Sequence, residues 1–390
     1  MADLLRDSAL GFLVRLITRN KFLSYEEDRP GFQLPKPYQH INDKAPNLPP
    51  ESNLSDTKET LEDSPSPSEQ SVLDEPSKAI VPTVTSDGTV LVDWYSADDP
   101  ANPQNWSFRK KCFIAFQICI YTFAVYIGSA IYTPSQNAVT QVFGVSITAA
   151  SLGLAMYVLG YGTGPLLFAP ISEIPVVGRN PPYIITFALF VILCVPTALV
   201  KNFGGLLVLR FLQGFFGSPC LATGGASFGD IFNIFQLPFL MAFWTAAATA
   251  GPSLGPTIAG YTVQNEDWRW PLWEMLWIAG PVFILLFICL PETSASNILL
   301  RRAARLRKLT GNNKFHSQGE NDQKHLTAST ILIKALVRPA QIIIMDPAIT
   351  FVTIYTCLTY GVSPPTIPAN PLKLLKKTPR YTTPSSNPSP

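Results

Sequence analysis

Long runs of apolar residues alternate with short polar stretches through the middle and the end of the chain. The apolar runs occupy residues 112–131, 150–170, 183–200, 205–227, 239–262, 272–290 and 347–362. A helix rises ~1.5 Å per residue, so it needs about 20 apolar residues to cross a hydrocarbon core of ~30 Å. A water-soluble core does not carry so many such runs in succession. The pattern therefore predicts an all-α, multi-pass membrane protein with six spans followed by a seventh.

Polar segments flank these runs and divide the rest of the chain. Residues 1–39 mix Leu and Phe with Arg, which fits either an amphipathic helix on the membrane or a short helix in the cytosol. Residues 40–108 are rich in Pro, Ser, Asp and Glu, so we expect a disordered or extended cytosolic tail. The remaining regions are the six-span bundle (109–291), a basic connector (292–346), the seventh span (347–362) and a disordered Pro-rich tail (363–390).

Lysine and arginine concentrate on one side of the predicted bundle. Arg109, Lys110 and Lys111 directly precede the first run, and five more cations lie within residues 301–308 of the connector. The loop over 132–149 contains neither Lys nor Arg. Because cations favour the cytosolic side of a membrane, the N-terminus and the connector are both predicted in the cytosol.

Composition excludes several other classes of protein. The net charge is +2, and no basic face with interleaved aromatic residues appears, which argues against nucleic-acid binding. The six Cys form no CxxC pair and the three His lie outside the runs, so we expect no metal site and no cofactor. Phosphate-binding, nucleophilic-serine and paired-histidine motifs are absent from the sequence, so we expect neither an enzyme nor an ATP-driven pump.

Arg210 lies inside the fourth apolar run, near its start. A cation at the centre of a spanning helix costs about 2.5–3.5 kcal/mol on insertion scales. Its side chain therefore either faces the bundle interior or extends its long stem to the membrane surface. Spacing alone leaves both alternatives open.

Three charged residues border the short loops at the predicted cytosolic side. Glu173 and Arg179 lie between the second and third runs, and Asp230 lies at the end of the fourth. Opposite charges on facing loops can form a gate that breaks and reforms as the helices rock. Ordinary solvated loop charges are the alternative.

The fifth run combines small residues with proline. Gly251 and Gly255 lie four residues apart, a spacing that lets helix backbones approach closely in lipid, and Pro252 lies between them. Elsewhere in the bundle, Tyr126, Tyr157 and Phe215 are candidates to line a cavity for planar or cationic ligands. Packing against lipid explains the same aromatic residues equally well.

Several segments, in order, resemble motifs of one transporter family. They are DWYSADDPANPQNWSFRKK before the first run, GPLLFAPISEIPVVGRNPPY between the second and third, LRFLQGFFGSP in the fourth, GPSLGPTIAG in the fifth and LPETSASNILLRRAARLRK after the sixth. Together they resemble the major facilitator superfamily, in the fungal drug:proton antiporter branch. The N-terminal YEEDRPGFQLPKPY is similar to the benomyl/methotrexate-type multidrug-resistance transporters of that branch.

This resemblance implies two six-helix bundles that face each other across a central cavity with alternating access. It implies that Arg210 takes part in proton coupling, that Glu173 and Arg179 latch the cytosolic gate, and that Gly251, Pro252 and Gly255 form a tight, leak-proof helix contact. Glu173 stands where the wider superfamily has Asp, and Pro256 replaces a second glycine of the fifth-span motif.

The function implied is export of small organic compounds, such as drugs, toxins or secondary metabolites, by proton antiport. The partners implied are membrane lipid, a small-molecule substrate and protons. The location implied is the plasma membrane, with the vacuolar membrane as the alternative. An uptake permease, for a polyamine for example, shares the fold and differs in the direction of transport.

The largest departure from the family begins after residue 362, where the sequence becomes polar and Pro-rich. The family continues there through further spans. We expect a C-terminally truncated chain without the second bundle, as a frameshift, a retained intron or a premature stop produces. An inactive or regulatory half-transporter that associates with a full-length relative is therefore an alternative function.

Overall fold

The structure, a computed structural model, describes most of the apolar part of the chain. The described residues are 2–18, 21–29, 31–35, 38–39, 80–85, 87–323, 337 and 341–362. Most of the expected disordered region (40–79) and the expected Pro-rich tail (363–390) lie outside these residues.

Helices dominate the described residues. They are α1 (Ala2–Asp7), α2 (Ala9–Thr18), α3 (Phe108–Ala130), α4 (Gln136–Phe143), α5 (Ile147–Glu173), α6 (Asn180–Leu199), α7 (Phe203–Gly217), α8 (Pro219–Ile231), α9 (Leu237–Asn265), α10 (Trp270–Cys289), α11 (Ala295–Thr310), α12 (Gln318–Gln323) and α13 (Pro347–Val362). Two short strands, β1 (Val90–Val92) and β2 (Phe315–Ser317), pair in parallel.

Among the residues that the structure describes, five helical stretches are long and apolar enough to cross a membrane. They are Phe108–Phe143, Ile147–Glu173, Asn180–Leu199, Phe203–Ile231 and Trp270–Cys289. Helix α9 has 29 residues and is long enough, but its Ala, Gly, Ser and Thr residues lower its hydropathy. Helix α13 lies at the seventh apolar run and has 16 residues. All seven predicted runs are therefore helical.

The fourth apolar run forms two helices rather than one. Helix α7 ends at Gly217, and α8 begins at Pro219 with Ser218 between them. Proline has no N–H to donate and is tolerated in a first helical turn, so the break falls directly before it. The Ser218 hydroxyl donates to the Phe215 carbonyl at 2.7 Å and satisfies one of the carbonyls that the break frees.

The helices pack as a bundle around an apolar core. Helix α5 packs on α7, α9 packs on α3, and α10 packs on both α6 and α3. Gly160 and Gly164 lie where α5 meets α7, and a side chain at either position would overlap Phe211 or Ser218. These glycines thus let the two helices approach closely.

One end of the bundle carries an additional ordered layer, and we call it the connector end. Helices α3 and α9 begin there, and α5, α8 and α10 end there. Strands β1 and β2 lie in this layer with helix α11. Its small core consists of Tyr38, Val90, Val92, Ala303, Leu306 and Phe315.

Residues 87–107 differ from the disordered or extended tail expected over 40–108. They form strand β1 and a 3₁₀ turn, Pro103–Asn105. The physical reason is that Val90 and Val92 are buried on pairing with β2, more than 200 residues away. Such long-range pairing has no local signature in the sequence.

Candidate functional site

Arg210 lies in the middle of α7 with its side chain fully buried. The side chain faces the bundle interior, so the alternative in which it extends to the membrane surface does not hold. Its buried position makes it the first element of a candidate site within the spanning helices.

Backbone carbonyls, two aromatic rings and a sulfur atom surround the guanidinium group, and we call this arrangement the Arg210 cage. Arg210 Nη2 donates to the Gly128 carbonyl at 2.8 Å, and Nε donates to the Gly153 carbonyl at 3.3 Å. The guanidinium carbon lies 5.0 Å from the ring centre of Tyr132 and 4.7 Å from that of Tyr157. The Met275 sulfur lies 3.9 Å from Nη1.

The end of α3 makes this cage favourable for a cation. Gly128 is the third residue from the C-terminal end of α3, and its carbonyl is therefore one of the last four, which have no partner in the helix. The same helix end carries the negative pole of the helix dipole. The Tyr157 hydroxyl donates to the Val125 carbonyl at 2.6 Å in the same turn region, which fixes its ring beside the guanidinium.

Two glycines leave the space that the cage needs. A Cβ atom at Gly128 would lie 2.6 Å from the Tyr157 hydroxyl and 2.8 Å from the Met275 sulfur. A Cβ atom at Gly153 would lie 2.6 Å from the Tyr132 ring. Any larger residue at these positions would displace a ring or the sulfur from the guanidinium.

No carboxylate forms a salt bridge with Arg210 among the residues that the structure describes. Dipoles and ring faces stabilise the cation, but they do not neutralise it. A buried charge without a counter-charge responds strongly to any change of charge nearby, because the surroundings screen it little. Such an arrangement is electrostatically suited to respond to a nearby proton or charged ligand.

At the connector end, the structure brings together two of the three predicted gate residues. Arg179 Nε lies 3.1 Å from Asp230 Oδ2, and Arg179 Nη1 donates to Ser172 Oγ at 3.1 Å. Glu173 is exposed and forms no ion pair among the described residues. The pair at this end is thus Arg179–Asp230, without Glu173.

Glu292 is a buried carboxylate at the same end that sequence reasoning missed. Its two oxygens accept the backbone N–H groups of Arg179 at 2.9 Å, Asn180 at 3.2 Å, Thr293 at 3.0 Å and Ser294 at 3.0 Å. The carboxylate therefore lies at the N-terminal ends of both α6 and α11, where the helix dipoles favour negative charge. Burial raises the pKa of Glu292, and the N–H donors oppose that rise.

A tight turn positions the loop that Glu292 binds. Gly178 has a φ of +78°, which favours glycine, and a Cβ atom there would lie 2.6 Å from Glu292 Oε2. Asn297 Nδ2 donates to the Pro175 carbonyl at 2.7 Å, and Asn180 Nδ2 donates to the Leu290 carbonyl at 2.7 Å. The sequence signal for this junction was PETSASN directly after an apolar run. It places an acidic residue two positions before a helix-capping serine.

A second buried arginine joins three distant segments of the connector end. Arg302 Nη1 lies 2.6 Å from Asp99 Oδ2, and Nη2 lies 3.3 Å from Oδ1. Arg302 Nε lies 3.4 Å from Glu27 Oε1, an ion-pair distance without hydrogen-bond geometry. The guanidinium also lies 4.1 Å from the Tyr95 ring centre. We call Arg302, Asp99, Glu27 and Tyr95 the Arg302 clamp.

The clamp perturbs the titration of its aspartate. Burial alone would raise the pKa of Asp99, but the Arg302 guanidinium outweighs it and holds that pKa below its usual value. Arg305 Nε binds the other oxygen of Glu27 at 3.2 Å, so both carboxylates of the clamp are paired. The clamp ties the N-terminal segment and the segment before α3 to the connector helix.

The fifth-run motif forms a close helix contact. A Cβ atom at Gly251 would lie 2.7 Å from the Ile127 backbone nitrogen, and one at Gly255 would lie 3.1 Å from that of Ile131. Both glycines are buried against α3, and Pro252 between them is half-buried. The backbone of α9 therefore lies directly on that of α3, next to the end that holds the Arg210 cage.

The three predicted cavity aromatics belong to different contacts. Tyr157 is part of the Arg210 cage. Tyr126 is half-buried, and its ring centre lies 5.6 Å from that of Tyr161. Phe215 packs in a phenylalanine cluster, with its ring centre 5.2 Å from that of Phe168.

An apolar groove lies between α3 and α9 near the connector end. It has a volume of about 600 Å³ and an almost entirely apolar lining. Phe108, Phe116, Phe239 and Phe243 contribute rings to it. Its chemistry suits an apolar or amphipathic molecule.

Comparison with known proteins agrees with this architecture. Residues 118–370 match the Major Facilitator Superfamily. The chain is 44% identical over 362 residues to the MFS-type transporter pyvG of Aspergillus violaceofuscus, and 37% identical over 369 residues to the Cycloheximide resistance protein of Candida maltosa. Each match covers 93% of this chain and 64% of the relative.

Fluconazole resistance protein 1 of Saccharomyces cerevisiae is 42% identical over 270 residues, which are 69% of this chain and 49% of that protein. The chain thus spans less than two thirds of the length of these relatives. The family match itself covers well over half of the present chain. The chain therefore belongs to the Major Facilitator Superfamily, in its fungal drug-resistance branch.

Proposed function

We propose that this chain exports small organic compounds across a membrane in exchange for protons. The observation that carries the proposal is the Arg210 cage, a fully buried cation that no described carboxylate neutralises. Burying a cation within the membrane costs free energy, and a purely structural role does not require the charge. A buried cation in a membrane protein therefore indicates a functional position. Relatives named for resistance to cycloheximide and fluconazole support small organic molecules as the exported class.

In this proposal α3, α5, α6, α7 with α8, α9 and α10 form a six-span bundle, and α13 is the seventh span. The connector end is cytosolic, because the cations that precede α3 and those of α11 both lie there. The protein then resides in the plasma membrane, with the vacuolar membrane as the alternative.

Proton coupling in this scheme acts through the charge of Arg210. A proton that arrives near the guanidinium raises the local positive potential, and its release lowers it. Since the cage contacts α3, α5 and α10 at once, such a change alters how these helices hold α7. The Arg179–Asp230 pair and Glu292 close the connector end while the opposite end is open.

The Gly251, Pro252 and Gly255 contact contributes a seal. Close backbone packing of α9 on α3 leaves no room for water along that seam, so protons do not leak past the cage. The apolar groove between α3 and α9 is the surface on which an amphipathic substrate first meets the bundle from the membrane.

Efflux from a drug-sensitive yeast strain tests the proposal. Cells that express the chain are loaded with labelled fluconazole or cycloheximide, and retention is measured with and without a protonophore. We expect lower retention that the protonophore abolishes, and no effect from the chain with Arg210→Ala. Arg210→Ala protein must reach the membrane in equal amount.

The same assay separates the alternative functions. Higher retention in expressing cells would indicate an uptake permease. Unchanged retention, with altered efflux by a co-expressed full-length relative, would indicate a regulatory half-transporter. Undiminished efflux with Arg210→Ala would overturn the role of Arg210.

A further inference from the structure

The N-terminal helix α2 presents a row of large apolar side chains outward. The exposed fractions are 52% for Phe12, 40% for Leu13, 66% for Leu16 and 79% for Ile17. Phe12 and Leu16 are four residues apart, as are Leu13 and Ile17, so all four lie on one face of the helix. A water-exposed surface helix normally carries polar residues at such positions.

The charged residue of α2 points the other way. Arg15 is 6% exposed and donates from Nη1 to the Arg6 carbonyl. Its guanidinium lies 4.6 Å from the ring centre of Tyr25. The outward face of α2 therefore carries no charged residue of its own, and the nearest guanidinium carbon, that of Arg301, lies 5.9 Å from the Phe12 ring centre.

The position of α2 along the bundle is fixed by its contacts. Helix α2 packs on α10 and α6, and Leu4 of the preceding helix belongs to the bundle core. Ser8, directly before α2, pairs with Pro291, and Glu292 N donates to the Asp7 carbonyl at 3.2 Å. Because α10 ends at Cys289, the helix lies level with the end of a membrane-crossing helix.

The helices that α2 contacts have apolar outer surfaces at the same end. Ile185, in the second turn of α6, is 60% exposed, and Ile284, in the last turns of α10, is 58% exposed. Both helices are long and apolar enough to cross a membrane. The apolar face of α2 thus adjoins a surface that lipid covers.

We propose that α2 is an interfacial membrane anchor, whose outward face inserts among the acyl chains just below the headgroups of the leaflet at the connector end. The occupant of this face is the bilayer that the bundle itself spans. Since the side chains on this face are apolar and Arg15 turns inward, the contact is mainly hydrophobic. This inference concerns the position of the helix and is independent of transport.

Fluorescence quenching in lipid nanodiscs tests the position directly. A cysteine replaces Ile17 in a chain whose accessible Cys112, Cys119, Cys289 and Cys357 are serine, while buried Cys194 and Cys220 remain. The new thiol carries an environment-sensitive fluorophore. Leu309→Cys is the matched control, because Leu309 is an exposed leucine, at 43%, in the last turn of α11.

We expect brominated phosphatidylcholine to quench the label at position 17 several-fold more strongly than at position 309. Aqueous iodide should show the reverse order. Replacement of the zwitterionic lipid by anionic lipid, or addition of salt, should leave the order of quenching at the two positions unchanged.

Equal quenching by iodide at positions 17 and 309 would overturn the proposal, because the face would then lie in water. Protection of position 17 from both iodide and brominated lipid would also overturn it, because another protein surface would then cover the face. A strong dependence on anionic lipid or salt would overturn the hydrophobic mode of binding.

Discussion

Two buried arginines in this molecule are held in opposite ways. Arg210 and Arg302 are 0% and 3% exposed, so both have lost nearly all contact with water. Arg302 meets two carboxylates, those of Asp99 and Glu27, at 2.6 and 3.4 Å. Arg210 meets carbonyl oxygens, ring faces and a sulfur atom, and no described carboxylate.

The difference separates a structural charge from a responsive one. The clamp neutralises Arg302 within the folded chain, so its charge serves to join three segments. The cage solvates Arg210 without neutralising it, so part of its electrostatic field stays available to a proton or ligand. The same residue type is thus suited to two different tasks because its neighbours differ.

Arg302→Met gives the largest expected effect, because it leaves Asp99 and Glu27 buried around an apolar side chain. Loss of one partner from a buried ion pair costs about 3–5 kcal/mol. We expect a loss of that order in the free energy of unfolding, measured on the purified chain in detergent. Arg305→Met is the control and should lower the free energy of unfolding clearly less, because Glu27 keeps its ion pair with Arg302. Equal losses would refute the distinct role of Arg302.

Glu292→Gln gives the next largest effect. Both oxygens of the Glu292 carboxylate accept hydrogen bonds from backbone N–H groups. In the amide an NH₂ group replaces one of these oxygens, so at least one backbone N–H group loses its acceptor. An unsatisfied buried group costs about 1–3 kcal/mol. Hydrogen exchange should accelerate at the amides of Arg179, Asn180 and Ser294.

Glu320→Gln serves as the control for that substitution. Glu320 pairs with Arg307 at a partly exposed position, with side-chain exposures of 29% and 23%. Its loss should leave exchange at the Glu292 junction unchanged. Unaltered exchange in Glu292→Gln itself would mean that the carboxylate does not hold the junction.

Acid should weaken the Arg302 clamp within a defined range of pH. The folded-state pKa of Asp99 is lowered, so its carboxylate contributes stability above the usual aspartate pKa of about 3.9 and loses it as pH falls through the lowered folded value. The difference in unfolding free energy between the unaltered chain and Asp99→Asn should stay constant from pH 7 to about 5 and shrink below about 4. Shrinkage already between pH 7 and 6 would contradict the lowered pKa.

Asp230→Asn gives a smaller expected change in stability than the preceding substitutions. The Arg179 and Asp230 side chains are 13% and 25% exposed, and such partly solvated pairs contribute about 0.2–1 kcal/mol. Glu173→Gln, which removes no ion pair among the described residues, should cost less still. A cost for Asp230→Asn above that range would show that the pair is more strongly coupled to Glu292 than its geometry indicates.

The sequence predicted the helices well, because long apolar runs have no other stable form in a membrane. It left the orientation of Arg210 open, because the carbonyls of Gly128 and Gly153 come from two other helices. Glu292 was missed for the same reason, since two of its donors, at Arg179 and Asn180, lie more than 100 residues earlier. Local sequence patterns do not indicate which distant residues come into contact.

The central claim, that Arg210 carries an uncompensated charge, is tested most directly by Arg210→Met beside Arg302→Met. Both proteins are unfolded in the same detergent, and their free energies are compared with that of the unaltered chain. The account predicts a loss of about 3–5 kcal/mol for Arg302→Met. It predicts a smaller loss, of about 1–3 kcal/mol, for Arg210→Met, because an apolar side chain there strands no opposite charge and leaves only the Gly128 carbonyl without its hydrogen bond. An equally large loss for Arg210→Met would contradict the claim and make Arg210 a structural residue like Arg302.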